Sequence, residues 1–259
     1  YRRQVFHAHE ERARRWLPAG FRTAVLGSLG SVYPKADWAP RPLRLKTTLL
    51  SLAGTGAQGY ASALAVTPAG QRRSLYSAAF AREIGGYLAE EPFVRTMEGA
   101  PARSGLDRAQ YADLTFWLPG DILTKVDRTS MAVSLEAREP LLDHRLVEFA
   151  ASLPEHLRVH ARQGKYLLKK AMRRYLPEKI LYRPKQGFVT PIAQWLRGPL
   201  GSEARAISSS AALARTGWFD PKAVSGTAEG HISGRSDNSR LLWQLLMLDR
   251  SLRHLGVVS

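Results

Sequence analysis

"LPGDILTKVDRTSMAVSLEAREPLLDHRLVEFAASLP", Leu118–Pro154, decides how this chain folds. Ile122, Leu123, Val126, Ser130 and Val133 recur at helical spacing and predict one apolar face. Upstream, Leu114, Trp117 and Leu118 lead into Pro119-Gly120-Asp121, which is expected to break and restart the chain. Asp143 reads as an N-cap, its carboxylate placed to accept from free N–H groups. Leu146, Val147, Phe149, Ala150 and Leu153 follow at helical spacing, and Pro154 ends the run. Between the two helices, "SLEAREPLLDHRL" sets Glu136, Arg138, Glu139 and Asp143 among Leu135, Leu141, Leu142 and Leu146, around Pro140. No simple surface helix has that pattern.

Outward from this centre the chain keeps helical periods. Residues 3–16 read as a polar helix with sparse apolar positions (Val5, Phe6, Trp16), closed by Pro18 and Gly20. Gly and Pro content marks 27–42 as a loop, and Gly54, Gly56 and Gly59 divide 43–66 into two short helices. One helix is expected around Leu75, Ala79, Phe80 and Ile84 over 70–89, with irregular chain from Pro92 to Leu106. Residues 164–176 predict a two-faced helix, with Leu167, Leu168, Ala171, Met172 and Tyr175 inward and five cations outward. Shorter helices fit 191–197, 202–215 and 221–230, the last with Asp220 as N-cap and Pro221 at N1. Ser239–Leu255 is apolar nearly all round and should be buried. No alternating run exceeds about four residues, so the fold class is mainly α.

Composition narrows the function. The 259 residues include no cysteine, which excludes disulfides and thiolate chemistry within them and fits a reducing, cytoplasmic setting. No apolar run is long enough to span a membrane. The net charge of +16 favours polyanions such as nucleic acid or nucleotide phosphates; a solvated basic surface is the plain alternative. No glycine-rich phosphate loop, paired-cysteine spacing or H-E-x-x-H motif is present. His7 and His9 fit a polar helix face better than a metal site, because no third ligand accompanies them.

Two segments carry candidate chemistry. Glu136 and Arg138 lie among leucines just before Pro140; the pair fits either a functional carboxylate with its orienting cation or an ion pair locking two helices together. "RPKQGFVTP", Arg183–Pro191, holds Lys185 between Pro184 and Gly187, which suits a fixed cation facing an anion or, more simply, a solvated loop lysine.

The Leu118–Pro154 stretch, followed by "GKYLLKKAMRRYLPEKILYRPKQGF" at Gly164–Phe188, resembles the synthetase domain of glutamine-hydrolysing asparagine synthetases and related amidotransferases. Within that group the chain looks most like the exosortase-associated type. The resemblance implies that residues 1–259 are the C-terminal helical portion of an adenine-nucleotide alpha-hydrolase-like (ATP-pyrophosphatase type) synthetase domain. The parallel-sheet core with its phosphate loop and magnesium-binding aspartate would lie upstream, as would a glutaminase domain. On its own the chain is then expected to be inactive.

The resemblance further implies an ATP- and Mg2+-dependent reaction, with the metal ligands outside this chain. A carboxylate, aspartate or a related acid, is activated as an acyl-adenylate and amidated by ammonia from glutamine, releasing AMP and pyrophosphate. The family's active-site glutamate maps onto Glu136, and its charge-stabilising loop lysine onto Lys185. Asp121, Lys125, Asp127 and Arg128 also match family positions and are expected to shape the nucleotide site or to form a helix-packing ion-pair network. Expected partners are the upstream core and glutaminase domain and a small carboxylic acid; a homodimer is among the expectations. A basic helical nucleic-acid-binding module, or a non-catalytic partner domain, is the competing class. Aromatics expected on apolar faces (Trp117, Phe149, Tyr175, Trp243) favour the enzyme over a nucleic-acid module.

Overall fold

The computed structural model describes residues 2–33, 46–160, 163–184 and 190–256. Helices dominate it, and the one sheet among the described residues is a two-residue antiparallel pair, Val159–His160 with Gln163–Gly164. The chain divides into two compact units, one from 1–64 and 90–185, the other from 65–89 and 186–259.

The second unit is built around the helix Ser239–His254. Leu241, Leu242, Leu245, Leu246 and Leu252 are buried on it and pack with Leu75, Leu196, Ile207, Leu213 and Val224. The buried carboxylate of Asp249 is compensated: the Ser210 hydroxyl donates to it, and Arg253 Nε lies 3.0 Å away. Helix Pro221–Ile232 starts as the sequence predicts, with Asp220 accepting from the N–H of Lys222 at 2.8 Å.

In this unit the single helix expected over 70–89 is two, Ala69–Arg73 and Ala78–Glu83. The backbone between them serves a tertiary partner instead. Leu75 carbonyl accepts from Asp220 N at 2.8 Å, Ser77 N donates to Trp218 carbonyl at 2.9 Å, and Ser77 Oγ caps the second helix. The span 202–215 is likewise divided, into Gly201–Ala206, a 3-10 turn and Ala211–Thr216.

The first unit has its core where Ala57, Tyr60, Ala61, Phe93, Met97, Ala109 and Ala112 meet. Helix Arg2–Trp16 is anchored by buried charge. Arg3 Nη2 lies 3.2 Å from Glu10 Oε2, Ser51 Oγ donates to the same oxygen at 2.9 Å, and Arg14 Nη2 donates to Ser51 carbonyl at 2.7 Å. A Cβ at Gly59 would stand 2.6 Å from that Ser51 carbonyl, so the close approach of helices Lys46–Ala53 and Gly56–Leu64 requires glycine there. His7 corrects the expectation of a polar outer face: it is fully buried, 5.0 Å from the Tyr60 ring.

Two further segments differ from expectation. Gly27–Val32, expected as loop, is helical, because Gly30 serves close packing against Leu50 rather than a turn. Glu91–Glu98 is a helix with Pro92 in its first turn, where a missing N–H is harmless. Residues 34–42 of the expected loop lie outside the described residues.

Candidate functional site

The chain does not break at Pro119. Helix Gly105–Ala112 runs into an eleven-residue π-helical stretch, Asp113–Leu123, and then into helix Thr124–Met131. The wider turn carries the proline, which in an α-helix would clash with the carbonyl four residues back. The Pro119 carbonyl accepts from the Thr124 backbone N–H and also from Thr124 Oγ1, at 2.6 Å. Asp113 begins this stretch and is held by Tyr60 OH at 2.8 Å and Gln4 Nε2 at 2.6 Å. Burial raises the Asp113 carboxyl above its ordinary range, and it raises the Tyr60 hydroxyl as well.

Helix Thr124–Met131 ends in a Schellman arrangement that presents the "LEAREP" segment. Ser134 takes a left-handed conformation (φ 59°), its N–H donates to Met131 carbonyl at 3.0 Å, and Leu135 N–H reaches Ser130 carbonyl at 3.0 Å. Glycine usually fills this position, so Ser134 carries local strain. Beyond the turn, Arg138 Nε and Nη2 meet Glu136 Oε1 and Oε2 at 3.0 and 3.2 Å. Both side chains are exposed, Glu136 by 67% and Arg138 by 82%. The alternative of a lock between two helices is therefore wrong for the described residues: the pair is local, two residues apart, on the surface. The Asp143 cap is as expected, accepting from Arg145 N at 3.0 Å, and its guanidinium partner Arg145 holds the carboxyl below the usual range.

The leucines of this segment are not core. Leu135 and Leu141 are 62% and 61% exposed, and Met131, Val133, Leu146 and Phe149 are exposed too. Ala150 is likewise at the surface, as are Leu168 and Ala171 on helix Tyr166–Met172, Tyr175 just beyond it and Ile180 on helix Glu178–Leu181. The expectation that Leu168, Ala171 and Tyr175 face inward is thus corrected: periodicity marks an apolar face, but no described part of the chain covers this one. Trp117, Phe149 and Tyr175 are exposed as well, so burial of aromatics does not separate the enzyme from a nucleic-acid module.

Of the remaining site residues, Asp121 and Lys125 form a surface pair at 4.0 Å across one helical turn. Asp127 and Arg128 are exposed on the next turn, with no ion pair between them. The expected helix-packing network thus reduces to one exposed contact, which adds little to stability. Lys185 lies outside the described residues. No group of three or more His, Asp or Glu suited to a metal occurs among the described residues. No helix there is long and apolar enough to cross a membrane.

The asparagine synthase family profile matches residues 1–253, and the chain belongs to that family. It is 35% identical over 144 residues to asparagine synthetase [glutamine-hydrolyzing] 1 of Bacillus subtilis, covering 56% of this chain and 22% of that protein. It is 40% identical over 141 residues to a putative asparagine synthetase [glutamine-hydrolyzing] of Mycobacterium tuberculosis, covering 54% and 21%. Amidase chyE of Penicillium rubens is 27% identical over 131 residues, covering 48% of this chain and 20% of that protein. The matched region is about a fifth of the length of these relatives. No solved structure matches the chain.

Proposed function

We propose that this chain supplies the helical part of an ATP-dependent amide synthetase active site. In that site an acid, aspartate or a related small carboxylate, is activated as an acyl-adenylate and amidated by ammonia. Membership of the asparagine synthase family over residues 1–253 is the observation that carries the proposal. Glu136 is the carboxylate we assign to the amidation step. Its two oxygens are oriented by Arg138, and it stands at the surface, where a second body can reach it. Attack by ammonia on an acyl-adenylate releases a proton, and a carboxylate at hydrogen-bonding reach can accept it. Lys185 is assigned to the preceding step, in which negative charge grows on phosphoryl oxygens and a fixed cation lowers the barrier. The cations Lys125 and Arg128 are exposed and match ATP phosphates in charge; no residue of the chain is assigned to Mg2+.

The uncovered apolar faces support a second element of the proposal. Contiguous exposed apolar surface on a folded chain marks an interface. Met131, Val133, Leu135, Leu141 and Phe149 flank Glu136 in sequence, so what covers them also encloses the site. We assign that role to the nucleotide-binding core of the same synthetase, with the glutaminase domain delivering ammonia. The decisive experiment is acid-dependent ATP–pyrophosphate exchange by protein expressed from the complete reading frame. Failure of aspartate, and of every related carboxylate tested, to stimulate exchange would overturn the proposal.

A further inference from the structure

The first unit holds a small cavity that none of the residues assigned to catalysis lines. Its volume is about 110 Å³. The buried floor is formed by His7, Ala57 and Met97, and the exposed mouth carries Glu98 and Arg108. Two glycines make room for Glu11 in its wall. A Cβ at Gly56 would stand 2.1 Å from Glu11 Oε1, and one at Gly105 would stand 2.5 Å from Glu11 Cγ. Any side chain at either position would force Glu11 to move.

The polar groups there are unevenly satisfied. Glu11 is engaged by Arg14 Nη1 at 2.7 Å. Glu98 receives only the Thr55 hydroxyl, at 3.4 Å, and Arg108 only donates Nε–H to Ala102 carbonyl, at 3.4 Å. Although both line one cavity, Glu98 and Arg108 are not within ion-pair distance of each other. On the floor, His7 is fully buried and neither ring nitrogen has a hydrogen-bond partner among the described residues. The Gly105 backbone, which favours the protonated ring, does not reach hydrogen-bonding geometry with it. A buried imidazole with two idle nitrogens is costly unless something meets it.

We propose that this cavity binds a small free α-amino acid with an uncharged, hydrogen-bonding side chain. Arg108 would take the carboxylate as a two-pronged donor, and Glu98 the ammonium. The side chain would point to the floor. Neutral imidazole offers one donor and one acceptor, which a hydroxyl or carboxamide complements. At roughly 10–15 Å³ for each water-sized occupant, a volume of about 110 Å³ holds on the order of seven to eleven heavy atoms, the size range of serine and asparagine. The site lies beyond the catalytic proposal and stands or falls separately from it.

The test is 15N-imidazole NMR on protein expressed from the complete reading frame, with the His7 signals assigned by their loss in His7→Gln. L-serine and L-asparagine should shift the His7 ring nitrogens saturably, at millimolar concentration or below. L-alanine should bind more weakly. Arg108→Leu and Glu98→Gln, both at exposed positions, should each weaken the response about tenfold while far-UV circular dichroism stays as in the parent. Lys185→Ala should leave it unchanged. Absence of a saturable shift up to about 20 mM would overturn the proposal. So would an equal response to acetate or methylammonium, which would mean a simple ion site, or indifference to both charge substitutions.

Discussion

Arg138 holds Glu136 through two parallel hydrogen bonds, 3.0 and 3.2 Å long, across a single intervening alanine. The pair is exposed, so its net stability is small, in the range of about 0–1 kcal/mol. Its consequence is orientation. Glu136→Gln should therefore leave denaturant stability within about 0.5 kcal/mol of the parent, yet slow amide formation by about a hundredfold or more. Lys185→Ala should slow adenylate formation by about 2–4 kcal/mol of barrier. Parent-like turnover in both variants, measured on complete protein, would remove them from the catalytic machinery.

Ser134 supplies a different expectation. It occupies a left-handed position (φ 59°) that glycine enters without steric penalty. Ser134→Gly should stabilise the protein by about 1 kcal/mol, and Ser134→Val should destabilise it. Urea denaturation midpoints decide the matter; a loss of stability in the glycine variant would show that the serine side chain supports the turn.

His7 makes stability depend on pH. Burial, and the nearby Arg14 and Arg3, lower its pKa from 6.5 to about 4, against the opposing pull of Glu11. The unfolded chain then binds the proton more readily than the folded one. Stability from this residue is complete above pH 6.5 and is lost as pH falls from 6.5 towards 4, by up to about 3 kcal/mol. Tyr60, packed against the His7 ring, titrates far above this window. In His7→Phe, urea titrations between pH 7 and pH 4 should show a flatter slope; an unchanged slope would assign the acid sensitivity elsewhere.

Two leucines from apolar stretches should respond differently to truncation. Leu242 is fully buried in the second unit, and Leu242→Ala should cost about 2–5 kcal/mol. Leu135 is mostly exposed, and Leu135→Ala should change the stability of this chain by no more than about 0.5 kcal/mol. In complete protein, where the proposed core covers it, Leu135→Ala should cost more than it does in this chain. Equal small effects in both would argue that the face stays uncovered.

The sequence by itself determined the helical class, because 3.6-residue periodicity, N-caps such as Asp143 and Asp220, and Pro221 at N1 are local signals. It also determined the family, through the "SLEAREP" and "RPKQGF" segments that the family profile includes. Three things depended on tertiary structure. Whether an apolar face is buried depends on a partner, and periodicity at Leu146, Phe149 or Tyr175 is the same with or without one. Whether 70–89 is one helix or two depends on Asp220 and Trp218, about 140 residues away, competing for its backbone groups. And the site around His7 required helices from three separate stretches to converge. Along the chain His7, Glu98 and Arg108 share no motif, and only packing brings an imidazole without partners beneath two opposite charges that do not meet.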